Sequence, residues 1–232
     1  MTEQCAALVG STGLVGSQLL KQLLATPAFT NVHSISRRAP SVTGTSTFKA
    51  HVDKDTSAWP AALKASTPPP AVFFSALGTT RAQAGGLEKQ RAIDLDLNKD
   101  LAQAAREAGT NVYVLISTHG ANATSIAPYL KMKGQLDDAV SKMGFEHTVI
   151  LRPGALLGQR EAPPLAVRGL NGAAKLLGSV SKAYLVDAWA IDADVVAGAA
   201  IVAAQKCLEG EREKGVWILS QKEVLGLGKP AQ

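Results

Sequence analysis

Short apolar runs alternate along this chain with longer stretches whose apolar residues recur at helical spacing. That alternation predicts a parallel sheet wrapped by helices. Residues 5–9 read as a first strand. Residues 14–25 read as a helix, with Leu19, Leu20, Leu23 and Leu24 on one side and Thr26-Pro27 as its stop. A second strand is predicted over residues 31–36 and a weaker third over 48–52. A fourth covers 71–76, after the breaker Thr67-Pro68-Pro69-Pro70. Over residues 93–108, Ile93, Leu97, Leu101 and Ala105 keep helical spacing, and Gly109 closes the helix. Residues 112–116 are almost continuously apolar, as suits a strand buried on both faces. A helix over 129–143 follows, then a sixth strand over 148–151, stopped by Arg152-Pro153-Gly154. Residues 162–184 read as loop plus helix. Residues 194–207 form an alanine-rich helix suited to close packing, and 216–219 a last short strand.

The expected fold is α/β: a Rossmann-type, doubly wound parallel sheet forming a single domain over residues 1–232. A small substrate-side region is expected from residues of about 159–190 and 216–232. A length of 232 residues with 46% hydrophobic positions suits that architecture. The longest apolar stretch, 195–204, falls well short of the ~18 residues a membrane span needs. Residues 1–4 carry no secretory leader. The expectation is a cytoplasmic protein, with peripheral attachment to a membrane left open and no oligomeric state indicated. Cys5 and Cys207 sit in apolar contexts and read as reduced, buried thiols. The four histidines lack metal-ligand spacing, so no metal site is expected. The net charge of +5 is spread along the chain, with Arg37-Arg38 the only adjacent basic pair. That argues for a small anionic ligand and against a nucleic-acid track.

Gly10-Ser11-Thr12-Gly13-Leu14-Val15-Gly16 follows the first strand and opens the first helix. In that context a G-x-x-G-x-x-G turn is a backbone surface for a dinucleotide pyrophosphate. Gly10 permits the sharp turn, Gly13 removes a Cβ where the diphosphate approaches, and Gly16 lets the helix lie against the sheet. The amides of the first helical turn then face the anion. At the end of the second strand, Ser36-Arg37-Arg38 offers two guanidiniums where NAD-preferring folds usually carry a carboxylate. The pair would bind a 2′-phosphate, which argues for NADP(H); the alternative is two solvated surface arginines. Asp53 either bonds the adenine amino group or is a plain turn aspartate. Ala76, Leu77, Gly78 and Thr79, in a run of small residues, either let a cofactor ribose lie against the backbone or form only a tight turn. Arg152, Pro153 and Gly154 either meet the nicotinamide carboxamide or act as a rigid stop.

Tyr129 and Lys133 stand at i and i+4 of a predicted helix. An ammonium one turn away favours phenolate and so lowers the pKa of a proton-transferring tyrosine. Lys133 can also bond the nicotinamide ribose. Ser117, at the carboxyl end of the fifth strand, can hydrogen-bond a substrate oxygen. His119 reads as a turn histidine or an alternative proton donor.

Together these residues resemble the short-chain dehydrogenase/reductase superfamily in its atypical branch. More narrowly, the chain is similar to a fungal family of NAD(P)-binding proteins of the mitochondrial outer membrane, related to the mammalian Tat-interactive oxidoreductase-like protein. The resembling segments are 9–16, 75–81, 113–121, 128–134 and 149–158. The resemblance implies NADPH binding, a Ser117–Tyr129–Lys133 triad and peripheral association with that membrane. Many superfamily members place an asparagine in the helix after the fourth strand; register against Ala104-Ala105 puts Asp94 there instead. The expected function is NADP(H)-dependent interconversion of a small-molecule carbonyl and alcohol. The alternative is an NADPH-binding sensor without turnover.

Overall fold

The computed structural model describes residues 4–42, 46–158 and 189–229. Seven parallel strands form one sheet in the order β3-β2-β1-β4-β5-β6-β9. They are β1 (Gln4–Val9), β2 (Phe29–Ser36), β3 (Phe48–Val52), β4 (Val72–Ser75), β5 (Val112–Ile116), β6 (His147–Arg152) and β9 (Gly215–Ser220). The order reverses at β1, which pairs with β2 on one side and β4 on the other. At such a switch point the connections leave in opposite directions and open a crevice at the carboxyl ends of the strands. A separate pair, β7 (Ala155–Leu157) and β8 (Ala190–Asp192), lies beyond β6.

Alternation along each buried strand feeds two apolar layers. Ala6, Leu8, Phe74, Val114 and Val149 meet α1 (Leu14–Ala25), α7 (Ala193–Leu208) and α8 (Gln221–Gly228). Ala7, Val9, Phe73, Tyr113 and Ile150 meet α2 (Trp59–Lys64), α5 (Asn98–Glu107) and α6 (Pro128–Ser141). The alanines of α7 allow a close approach: a Cβ on Gly228 of α8 would stand 2.0 Å from the Val195 carbonyl oxygen.

The helix expected over 93–108 is not uniform. After the short helices α3 (Arg81–Ala84) and α4 (Leu87–Arg91), Ala92–Leu97 is a π-helical stretch and α5 begins at Asn98. Asn98 accounts for it. Its buried amide donates to the Ile93 carbonyl at 3.1 Å and the Asp94 carbonyl at 3.3 Å. That widens the turn, a feature often found near functional sites. The segment expected as loop plus helix over 162–184 lies outside the described residues.

Candidate functional site

The glycine turn is a backbone construction. Gly10 has φ +82°, and a Cβ there would stand 2.5 Å from the Ala76 carbonyl oxygen. Only glycine lets the ends of β1 and β4 approach so closely. A Cβ on Gly16 would fall 2.0 Å from the Gly10 oxygen, so this glycine seats α1 against the turn. Gly13 is different: among the described residues its Cβ would meet only the Gly10 oxygen, at 3.2 Å. Helix α1 starts after Gly13 with no side-chain cap and no acidic residue in its first turn. Its leading amides, on Leu14, Val15 and Gly16, are the groups a helix start leaves for an external acceptor. Ser11, beside Thr12 in the turn, is buried, and its Oγ lacks a hydrogen-bond partner among the described residues. A cradle without Cβ atoms, an uncapped helix start and an orphaned hydroxyl fit a dinucleotide pyrophosphate.

The neighbouring loop is anchored from below. The Ala76 amide donates to Val9. Asp94 accepts from the Thr79 amide at 2.7 Å, Gln90 donates to the Thr79 carbonyl, and Asn98 donates to the Leu77 carbonyl. Gly78 lies between, where a Cβ would stand 3.8 Å from Asp94 Oδ1. Asp94 of the π-helical stretch, with Gln90 of α4 before it and Asn98 of α5 after it, therefore fixes the platform 76–79 beside the glycine turn.

Arg37 and Arg38 are exposed at the carboxyl end of β2, and Ser36 Oγ donates to the Arg38 carbonyl at 2.7 Å to hold their turn. Asp53, next to the end of β3, accepts from the Asp55 amide, and its carbonyl accepts from Trp59 Nε1. One carboxylate oxygen is thus occupied by the turn.

At the carboxyl end of β5 the construction changes from backbone to side chain. Ser117 Oγ donates to Asp137 Oδ1 at 2.6 Å. The other oxygen, Oδ2, accepts from Arg152 Nε and Nη2, both at 2.9 Å. Lys133, 4% exposed, donates from Nζ to the Ile116 carbonyl at 3.1 Å. Tyr129 stands one turn earlier on α6 and is 43% exposed. Burial pulls the Lys133 ammonium below its ordinary pKa, while Asp94 and Asp137 push it back up. Burial raises the carboxyl of Asp137, opposed by Ser117, Arg152 and Lys133. It raises that of Asp94 too, opposed chiefly by Lys133 and the Thr79 amide. Two carboxylates are balanced by two cations, the arrangement a buried ion cluster requires. Close packing holds the adjacent loop: a Cβ on Gly134 of α6 would fall 2.2 Å from the backbone of Asn122 and Ala123.

The expected site residues therefore gather in two groups at the carboxyl edge. The glycine turn lies with 76–79, and Ser117, Lys133 and Arg152 meet around Asp137. Around the β6 stop, internal bonds engage the groups expected to meet a nicotinamide. Arg152 pairs with Asp137, the Pro153 carbonyl accepts from the His119 amide, and the Gly154 amide donates to Gln221. Sequence reasoning missed Asp137, Asn98 and Gln90. Asp137 had a signal: Tyr129, Lys133 and Asp137 repeat every four residues on one helical face.

A sheet reversing at β1, with a Cβ-free phosphate cradle at the reversal, defines a dinucleotide-binding protein of the Rossmann type. Residues 10–188 match the family described as NAD(P)H-binding. The protein fmp52-1, mitochondrial, of Aspergillus terreus is 48% identical, over 96% of this chain and 98% of its own. The fmp-52 protein of Neurospora crassa, also named mitochondrial, is 44% identical over 98% and 96%. The chain belongs to the NAD(P)H-binding family and, within it, to the fungal mitochondrial Fmp52 proteins. Solved structures share the fold at low identity. MoeE5 in complex with UDP-glucose and NAD superposes with a TM-score of 0.68 at 15% identity, over 97% of this chain and 80% of that one. The UDP-glucose 4-epimerase of Thermotoga maritima gives 0.67 at 13%, over 97% and 84%. Both agree with the Rossmann-type fold expected from the sequence.

Proposed function

We propose that this protein is an NADP(H)-dependent oxidoreductase that interconverts a carbonyl and an alcohol. The observation that supports the reading is that Ser117 follows the carboxyl end of β5 and Tyr129 and Lys133 lie in the first turns of α6, at the same edge of the sheet as the glycine turn. The chemistry a nicotinamide cofactor would supply in that cradle is hydride exchange with the substrate carbon. The glycine turn and α1 hold the diphosphate, the 76–79 platform supports the ribose, and Arg37 and Arg38 bind the 2′-phosphate. Tyr129 moves the proton at the substrate oxygen. Lys133 keeps a positive charge one turn away, which favours the phenolate. Ser117 touches the substrate oxygen.

The reading is tested by screening aldehydes, ketones and quinones for NADPH oxidation, followed by absorbance. Turnover that disappears in Tyr129→Phe supports it. Tight NADPH binding with no turnover on any carbonyl would replace it with a nucleotide-responsive binding protein. One observation favours that second reading: Lys133 and Ser117 both spend a donor on internal acceptors, Ile116 and Asp137. We place the protein peripherally on the mitochondrial outer membrane. The names of its relatives support the organelle, and among the described residues no helix is long and apolar enough to cross a membrane. Release from isolated mitochondria by alkaline carbonate is the expected behaviour; retention would contradict it.

A further inference from the structure

We infer that Ser117 meets its substrate as a hydrogen-bond acceptor, so that the site prefers a hydroxyl compound to the matching carbonyl, and that Asp137 is the positioning residue that sets this polarity. The inference rests on the reading of the site as a carbonyl/alcohol oxidoreductase.

A serine hydroxyl has one proton and two lone-pair positions. The 2.6 Å contact between Ser117 Oγ and Asp137 Oδ1 contains one proton. Which residue owns it is decided on the other side of the carboxyl group. There Arg152 places both Nε and Nη2 on Oδ2 at 2.9 Å. Burial raises the Asp137 carboxyl, but the fork of a permanently charged guanidinium, with the Ser117 hydroxyl and the Lys133 ammonium, opposes that and favours the ionised group, which can only accept. The proton therefore belongs to Ser117 and points inward. Asp137 is 1% exposed, so water does not compete for the bond, and hydrogen bonds to a charged acceptor are the strong kind. Only lone pairs remain on Ser117 for a ligand.

A ketone or aldehyde oxygen also offers only lone pairs, and would face Ser117 without a proton between them. An alcohol supplies that proton. The same helical face of α6 carries the phenol of Tyr129, the ammonium of Lys133 and the carboxylate of Asp137. Lys133 bonds the carbonyl of Ile116, the residue before Ser117, so α6 holds both the backbone and the hydroxyl of the serine.

Asp137→Asn should reverse the polarity. The Arg152 fork demands an oxygen, which turns the new amide NH2 toward Ser117. Ser117 then accepts internally and has its own proton free for a carbonyl oxygen. The direct measurement is the dissociation constant of matched pairs: 2-propanol and acetone, cyclohexanol and cyclohexanone, 1-phenylethanol and acetophenone. Both members are titrated with tetrahydro-NADP present, a cofactor analogue that transfers no hydride. The parent should bind the alcohol of an accepted pair about tenfold or more tightly than the ketone, the scale of an unmade hydrogen bond. Asp137→Asn should invert the ratio, and Ser117→Ala should bring it near one. If Asp137→Asn does not fold, Ser117→Ala decides alone, since it leaves the Asp137–Arg152 pair in place. Ketones bound as tightly as alcohols by the parent, no alcohol bound at all, or a ratio unmoved by these variants would overturn the inference. Failure of the underlying oxidoreductase reading shows elsewhere, as absent NADPH binding or turnover that ignores Tyr129.

Discussion

At the glycine turn the groups that face the crevice belong to the backbone; two strands along the sheet, at the β5–α6–β6 corner, they belong to side chains. The turn needs residues that lack something: no Cβ at Gly10, Gly13 or Gly16, and no cap on α1. The corner needs residues that carry charge and find opposite charge: Asp94, Lys133 and Asp137 are buried and act on one another's ionisation, and the part-exposed Arg152 bonds the carboxylate of Asp137. A binding surface made of amides accepts a phosphate without rearranging side chains. A cluster of ionised groups fixes where a proton sits, but at the cost of removing charge from water. Substitutions should therefore separate the two regions: a side chain added where the turn faces the crevice should lose ligand while keeping the fold, whereas removing a buried charge from the corner should lose fold and chemistry together.

The largest effect is expected at the corner. Lys133→Met leaves two buried carboxylates with only Arg152 to balance them, and breaking such a cluster costs about 3–5 kcal/mol. The deficit should depend on pH. With the ammonium gone, Asp94 and Asp137 rise further above the pKa they have in the unfolded chain. A group raised in this way contributes stability at low pH that is lost as pH rises through its folded value. Thermal denaturation should therefore show a smaller gap to the parent in mild acid than at neutrality. A gap that widens in acid would argue against ionised partners around Lys133.

Within the turn, the crevice-facing glycine and the packed glycine should behave differently. Gly13→Val should abolish NADPH binding with the circular dichroism spectrum unchanged, because the new side chain occupies the cradle. Gly16→Ala should damage folding itself, because its Cβ meets the Gly10 oxygen at 2.0 Å. If both variants fold and bind alike, the cradle is misassigned.

A smaller effect is expected at the end of β2. Replacing Arg37 and Arg38 together by alanine should reduce NADPH affinity about a hundredfold, equivalent to about 2.7 kcal/mol, and leave NADH affinity unchanged. Calorimetric titration of both cofactors reads this. Unchanged NADPH affinity would remove the argument for the phosphorylated cofactor.

The smallest effect concerns Cys5 and Cys207, both buried and pushed up to about 11 by desolvation. At mildly alkaline pH both should resist thiol reagents until the protein unfolds, with activity unaffected. Rapid labelling of the native protein would show that one of the layers flanking the sheet opens locally.

The same contrast explains what could be read from the sequence. The helix Leu14–Ala25 and the strands Phe48–Val52 and Val112–Ile116 have the bounds expected from their apolar periods. The glycine turn was legible because all its parts lie within seven consecutive residues. The short pieces were not: α2 has too few residues for a helical period, and β7 and β8 have three residues each. The π-helical stretch looked like ordinary helix because its cause is one side chain, Asn98, inserted into the backbone ladder. Asp137 was missed for a related reason. Its partners Ser117 and Arg152 lie 20 and 15 residues away, and only the folded sheet brings the ends of β5 and β6 to α6. Asp94 was located by register, but its tie to the Thr79 amide required the loop's path.

The division between a binding turn and a chemical corner is tested most directly by Tyr129→Phe, with NADPH affinity and turnover measured on the same preparation. The substitution removes one oxygen from a half-exposed ring and leaves the cradle untouched. NADPH should bind as it does to the parent, while turnover of an accepted carbonyl falls at least about a hundredfold, the lower end of what a positioned proton donor contributes. Parental turnover in the variant would contradict the assignment of Tyr129, and joint loss of binding and turnover would contradict the separation of the two regions.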